Sequence, residues 1–220
     1  MPTFSSAGQA VHLDHYAPKR PGKHPAVLLV HGSGGPIRGV DPYGEKAASF
    51  GVHVFVPHYF ERTGHTWVSP AAIERYFVDW LETLGEAISF AEMQPGVDPD
   101  RIGLLGFSLG SYLSLARATY DPRIACVADL FGGLPEHFVK DAGKLPPTLI
   151  LHGDQDGTVP VDEAYKLKAL LEEHRIPHAM KIYSGQGHHF TGLVQMDALR
   201  RIATFFQEHL AAKRTARATP

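Results

Sequence analysis

Short continuous apolar runs alternate along this chain with longer stretches in which apolar residues recur at every third or fourth position. Residues 26–31 (AVLLVH) form one such run, closed by glycines, the pattern of a strand buried on both faces. Residues 52–56, 102–107, 124–131 and 148–152 repeat it. Residues 178–183 instead have period 2, with Met180 and Ile182 on one face. Between the runs lie helical patterns. Over 71–92, Ile73, Phe77, Trp80, Leu81, Leu84, Ile88 and Ala91 make one apolar stripe, and Ser69-Pro70 supplies an N-cap and a first-turn proline. Val161, Ala164, Leu167, Leu170 and Leu171 make a second stripe, and Leu193, Met196, Leu199, Ile202, Phe205 and Phe206 a third. Strands alternating with helices predict an α/β fold, a mainly parallel sheet with helices on both faces. No repeat, low-complexity tract or Pro/Gly/Ser-rich linker divides the chain. One domain is expected over residues 1–212, with the basic, apolar-poor residues 213–220 as a frayed tail. The segment between Gly132 and Pro146 is too short for a lid domain.

Composition narrows the function. At 220 residues and 44% hydrophobic, the chain is long and apolar enough for one self-sufficient core. Its 21 basic residues against 23 acidic ones leave a net charge of −2, too balanced for a nucleic-acid face. The lone cysteine, Cys126, excludes an intramolecular disulfide framework and a cysteine-based zinc finger, and its place within a predicted strand makes it a core residue. No apolar run approaches the ~20 residues of a membrane span. The first residues lack the positive-then-apolar layout of a secretion signal, so a cytoplasmic protein is expected. Fourteen histidines raise the question of metal, but no His-x-x-x-His pair on a helix and no His-Glu-x-x-His occurs. No metal or organic cofactor is expected.

The chemistry is carried by short segments that follow strands. Gly106-Phe107-Ser108-Leu109-Gly110 stands between a buried strand and a helix-compatible stretch (Ser111-Tyr112-Leu113-Ser114-Leu115-Ala116). Gly-x-Ser-x-Gly there makes a sharp turn that lifts a nucleophilic hydroxyl off the sheet edge, with glycines where side chains would clash. A serine hydroxyl needs a base and an orienting acid. Strand 148–152 runs into a loop with Asp154 and Asp156, and strand 178–183 into one with His188 and His189. Gly-x-x-Asp-x-x-Val-Pro favours Asp156 as the acid, with Asp154 capping the turn and Asp129 an outside candidate on the floor of the site. Gly-His-x-Phe favours His188 as the base, with His189 beside it on the rim or packed away. His31-Gly32-Ser33-Gly34-Gly35 ends the first buried strand, where glycines let backbone N–H groups approach an oxyanion. The N–H of Leu109 is one expected donor and that of Ser33 the other, with Gly34 as the alternate. A dinucleotide-type turn is disfavoured because position 37 is Ile37.

In these motifs the chain resembles the α/β-hydrolases and, in its compact form, the dienelactone hydrolase-like family. Residues 31–35, 106–110, 153–160 and 187–190 fall in the family's order, so the resemblance spans nearly the whole chain. It implies a single-domain α/β-hydrolase fold without a lid domain. Dienelactone hydrolases use a cysteine nucleophile, where this chain has Ser108. Those enzymes hold the substrate carboxylate with arginines. The segment 57–62 resembles the loop that carries one of them, so the resemblance implies that Arg62 reaches the site. The second arginine has no counterpart, since Thr191-Gly192-Leu193 occupies its place, and His31-Gly32-Ser33 replaces the family's acidic turn. Phe60 and Trp67, in the same aromatic loop, are further candidates for contact with substrate.

The expectation is a serine esterase with Ser108 as nucleophile, His188 as base and Asp156 as orienting acid, acting on small soluble esters or lactones through an acyl-enzyme. A peptidase, thioesterase or acyltransferase could use the same three residues, and a non-catalytic binding module could reuse the scaffold. The partner expected is a small molecule, with neither nucleic acid nor membrane involved.

Overall fold

The computed structural model describes residues 1–36 and 39–211. Eight strands form one sheet: β1 (Thr3–Ser6), β2 (Gln9–Tyr16), β3 (His24–Val30), β4 (His53–Pro57), β5 (Val97–Phe107), β6 (Ile124–Leu130), β7 (Thr148–Gly153) and β8 (His178–Tyr183). Their spatial order is β1-β2-β4-β3-β5-β6-β7-β8. β1 pairs antiparallel with β2, and β2 antiparallel with β4; the other pairings are parallel. The helices are α1 (Asp41–Ser49), α2 (Pro70–Glu92), α3 (Leu109–Ala118), α4 (Asp162–Glu173) and α5 (Gly192–Ala211).

Successive side chains of a strand point to opposite faces, and the core divides accordingly. Leu28, Leu104, Val127 and Ile150 face α2, α3 and α4, meeting Trp80, Leu84, Ile88, Leu113, Leu167 and Leu171. Val27, Cys126, Ala128, Leu149 and Leu151 face α5 and meet Ile202, Phe205 and Phe206. Trp80 and Cys126 are fully buried, as expected of core residues. The continuous apolar runs are therefore strands covered on both sides, while β8, at the sheet edge, shows the half-buried alternation of its period-2 sequence.

Ser69 caps α2 by accepting the Ala72 N–H at 3.4 Å. The segment between Gly132 and Pro146 holds a short 3-10 helix, Glu136–Lys144, and no separate domain. Three elements carry no clear sequence signal: the β1–β2 hairpin and α1. In β2 only Val11 and Leu13 are buried, and α1 buries only Gly44 and Ala48. The expected tail at 213–220 lies outside the described residues. Among those described, no helix is long and apolar enough to cross a membrane. The parallel strands bring the loops after β3, β5, β7 and β8 to one edge of the sheet, where the motif residues meet.

Candidate active site

Ser108 occupies a one-residue junction between β5 and α3, with φ +53° and ψ −120°. A positive φ costs a residue with a Cβ free energy, so the surroundings must hold it. They do so through backbone. The Ser108 N–H donates to the Leu130 carbonyl of β6 at 2.8 Å, and its carbonyl accepts the Ser111 N–H at 2.8 Å. The flanking glycines are sterically required. A Cβ on Gly110 would stand 1.9 Å from the Val30 carbonyl oxygen, and one on Gly106 2.4 Å from the Ser111 Cα.

Ser108 Oγ lies 2.9 Å from His188 Nε2, and His188 Nδ1 lies 2.7 Å from Asp156 Oδ2. A carboxylate only accepts, so Nδ1 carries the hydrogen and Nε2 is left to accept from the serine hydroxyl. Asp156 Oδ1 accepts the N–H groups of Thr158 and Val159 at 2.8 and 3.0 Å. Burial opposes the charge on Asp156, but the bonds from His188, Val159 and Thr158 outweigh it and hold the carboxyl below its usual range. The Asp156 side chain is sealed from solvent, whereas that of His188 is 21% exposed. A second imidazole, His152, approaches the same Oδ2 at 3.3 Å.

The remaining sequence candidates divide. Asp154 Oδ1 accepts the Gly185 N–H at 2.7 Å, tying the loop after β7 to that after β8. Asp129 is fully buried within β6, and burial pushes its carboxyl up to about 7. The glycine loop after β3 abuts the serine: a Cβ on Gly32 would lie 3.2 Å from Ser108 Cβ. That loop is pinned by Val68 N–H donating to the Ser33 carbonyl at 2.9 Å. Gly35, at φ +84°, lies so close to the Thr66 carbonyl that a Cβ would meet its oxygen at 2.3 Å. Behind the loop, His31 donates through Nδ1 to the Gly32 carbonyl at 2.9 Å and stacks on Tyr59 at 4.2 Å.

Two expectations need correction. The Arg62 guanidinium is paired with Asp79 at 2.9 Å and Glu82 at 2.7 Å, both on α2. Its charge is already matched, so it clasps a helix rather than offering itself to a substrate anion. Phe60 is 2% exposed and packs against His31 and Trp80, with no face open to substrate. Trp67 and His189, by contrast, are exposed.

The site also has an aromatic wall that the sequence pattern does not announce. Phe107 and Phe131 stand with ring centroids 5.8 and 5.3 Å from that of His188. Phe131 adopts φ +59°. Phe107 sits inside the serine motif, which was the one available clue to it. Among the described residues, no group of three or more His, Cys, Asp or Glu is placed to hold a metal ion.

The sheet order, its covering helices and the placement of the loops define an α/β-hydrolase. The profile of the dienelactone hydrolase family matches residues 12–216, and the chain belongs to that family of hydrolases. It is similar to a Synechocystis protein provisionally named a carboxymethylenebutenolidase, 22% identical over 217 residues that cover 86% of this chain and 88% of that one. Among solved structures, a dienelactone hydrolase-like promiscuous phosphotriesterase from metagenomic libraries superposes with a TM-score of 0.82 at 16% identity, covering 94% of this chain and 96% of the other. The acylaminoacyl peptidase of Pyrococcus horikoshii gives 0.80 at 16% identity over 99% of this chain, which spans 42% of the peptidase. At these identities the structural likenesses speak for the fold alone.

Proposed function

We propose that the protein is a serine hydrolase of carboxylic esters, acting on small, soluble esters or lactones through an acyl-enzyme. The observation that carries this reading is the hydrogen-bonded chain from Ser108 Oγ through His188 to Asp156, at 2.9 and 2.7 Å. His188 Nε2 takes the Ser108 proton as Oγ attacks the ester carbonyl. Asp156 holds the imidazole in the required tautomer and stabilises it once protonated. The N–H groups of Ser33 and Leu109 stabilise the oxyanion, each worth on the order of 3 kcal/mol. The position of Leu109 supports this role, since the first N–H groups of a helix have no intrahelical acceptor. The alcohol leaves with the proton from His188; water, activated by the same imidazole, then releases the acid.

The pairing of Arg62 with Asp79 and Glu82 favours uncharged substrates over carboxylated ones. Trp67, exposed beside residues that brace the Ser33 loop, is a surface for their apolar parts, with His189 on the rim of the site. Replacing Ser108 by Ala is expected to lower turnover of p-nitrophenyl acetate by a factor on the order of 10⁴ or more. It should also abolish fluorophosphonate labelling while the circular dichroism spectrum stays unchanged. Near wild-type turnover in Ser108→Ala would falsify the reading.

A further inference from the structure

Oδ2 of Asp156 is shared by two imidazoles, and the mechanism above uses only one. The other belongs to His152, near the end of β7, whose side chain is fully sealed from solvent. Its Nε2 lies 3.0 Å from the Val159 carbonyl and 3.3 Å from Asp156 Oδ2. Both oxygens accept, so Nε2 carries the hydrogen, donating it to the Val159 carbonyl with Asp156 Oδ2 close by. The Val159 peptide in turn donates its N–H to Asp156 Oδ1 at 3.0 Å, so His152, Val159 and Asp156 close a ring of contacts. The opposite nitrogen, Nδ1, is buried with no partner among the described residues. A buried polar atom left unpaired costs stability, and a leucine would fill the space without that cost. The cost points to a role for the nitrogen that is paired. Phe131, held at φ +59°, stands with its ring 5.8 Å from His152 and 5.3 Å from His188, backing both imidazoles.

We propose that His152 is a positioning residue: its Nε2–H fixes Oδ2 of Asp156 and moderates the pull of that oxygen on His188. The inference rests on the reading of Asp156 as the orienting acid. With His152 in place, Oδ1 has two N–H donors and Oδ2 has the His188 N–H with the His152 Nε2–H close beside it at 3.3 Å, which restrains the group against rotation. Without that donor, Oδ2 serves His188 alone, and the protonated imidazole is held more strongly. Of the other ionisable groups nearby, Tyr112 of α3 lies within electrostatic range of Asp156, of Asp129 in β6 and of Glu163 on α4. They stay constant in the comparison below.

The test replaces His152 in three ways in the full chain and follows the His188 imidazole by NMR of ¹⁵N-histidine-labelled protein. His152→Phe keeps a ring against Phe131 but has no donor. His152→Asn ends short of the carboxylate, whereas His152→Gln can set an amide N–H where Nε2 stood. The expectation is that the Phe and Asn variants raise the His188 titration by about half a unit or more. The acid limb of the kcat/KM profile should move with it. In both, kcat should fall about tenfold with little change in KM, because a carboxylate no longer restrained by His152 stays on His188 but turns more freely and orients the base less often. His152→Gln should restore the wild-type titration. An unmoved His188 in the Phe and Asn variants overturns the proposal, as does an equal shift in the Gln variant. The NMR readout needs no turnover, so failure of the esterase reading, seen as an unlabelled Ser108 in the wild type, is distinguishable from failure of this one.

Discussion

Two buried carboxylates lie near the active edge of the sheet in opposite circumstances. Asp156 is surrounded by donors and held below its usual range, so it contributes stability above the unfolded value of about 3.9, lost as pH falls through its folded value. Asp129 has been pushed up to about 7 by burial. Between about pH 4 and 7 the folded chain holds the Asp129 proton more tightly than the unfolded chain does, so its contribution falls as pH rises. Asp129→Asn is therefore expected to raise the melting temperature at pH 8 and to do little near pH 4; an equal change at both would refute the assignment. At this scale the sequence separates residues unevenly. Ser108, Asp156 and His188 stand in motifs whose strand-end context fixes where they point. Arg62 does not: its partners, Asp79 and Glu82, lie 17 and 20 residues away on a helix face, a placement that no local pattern encodes. His152 was equally silent, because a histidine closing an apolar strand reads as core.

Among the elements, α2 is the one whose start and buried face were both readable. Ser69 caps it, Pro70 opens it, and Trp80, Leu84 and Ile88 face the sheet. Its outer side carries the two carboxylates that grip Arg62. Ser69→Ala is expected to cost about 1 kcal/mol, which in a domain of this size lowers the melting temperature by about 2–4 °C. Differential scanning calorimetry would measure it, and no change would mean that the 3.4 Å cap bond contributes nothing. Apolar continuity revealed β3 to β7 because both their faces are covered. It could not reveal β2, where His12, Asp14, His15 and Tyr16 interrupt the apolar positions. Nor could it reveal α1, whose sequence DPYGEKAAS reads as a turn. Gly44 is needed within that helix because a Cβ there would meet the Tyr16 ring at 2.5 Å, a reason that exists only once β2 and α1 are packed together.

For the molecule as a whole, the abundance of histidine bears on acid stability more than on chemistry. Burial lowers His31 to about 4. Burial and the neighbouring His53, whose Nδ1 lies 3.0 Å from His15 Nε2, do the same to His15. Burial also lowers His53. Each takes up its proton more readily in the unfolded chain, so its contribution is complete above about pH 6.5 and is lost as pH falls through its folded value, about 4 for His31 and His15. Asp129 works in the opposite direction over much of that window, but it is one group against three. The melting temperature is expected to fall between pH 6.5 and 4.5, and His15→Phe, which removes one of the three, should flatten that slope. An unchanged slope in the variant would locate the acid sensitivity elsewhere. The backbone contact at Gly110 has a consequence of another kind. Its neighbour there is a carbonyl, a group that every residue type carries, so substitutions in β3 cannot relieve the crowding. Whatever side chains β3 carries, the turn that seats Ser108 Oγ is held in place by peptide groups, which makes its geometry indifferent to the identity of the residues that face it.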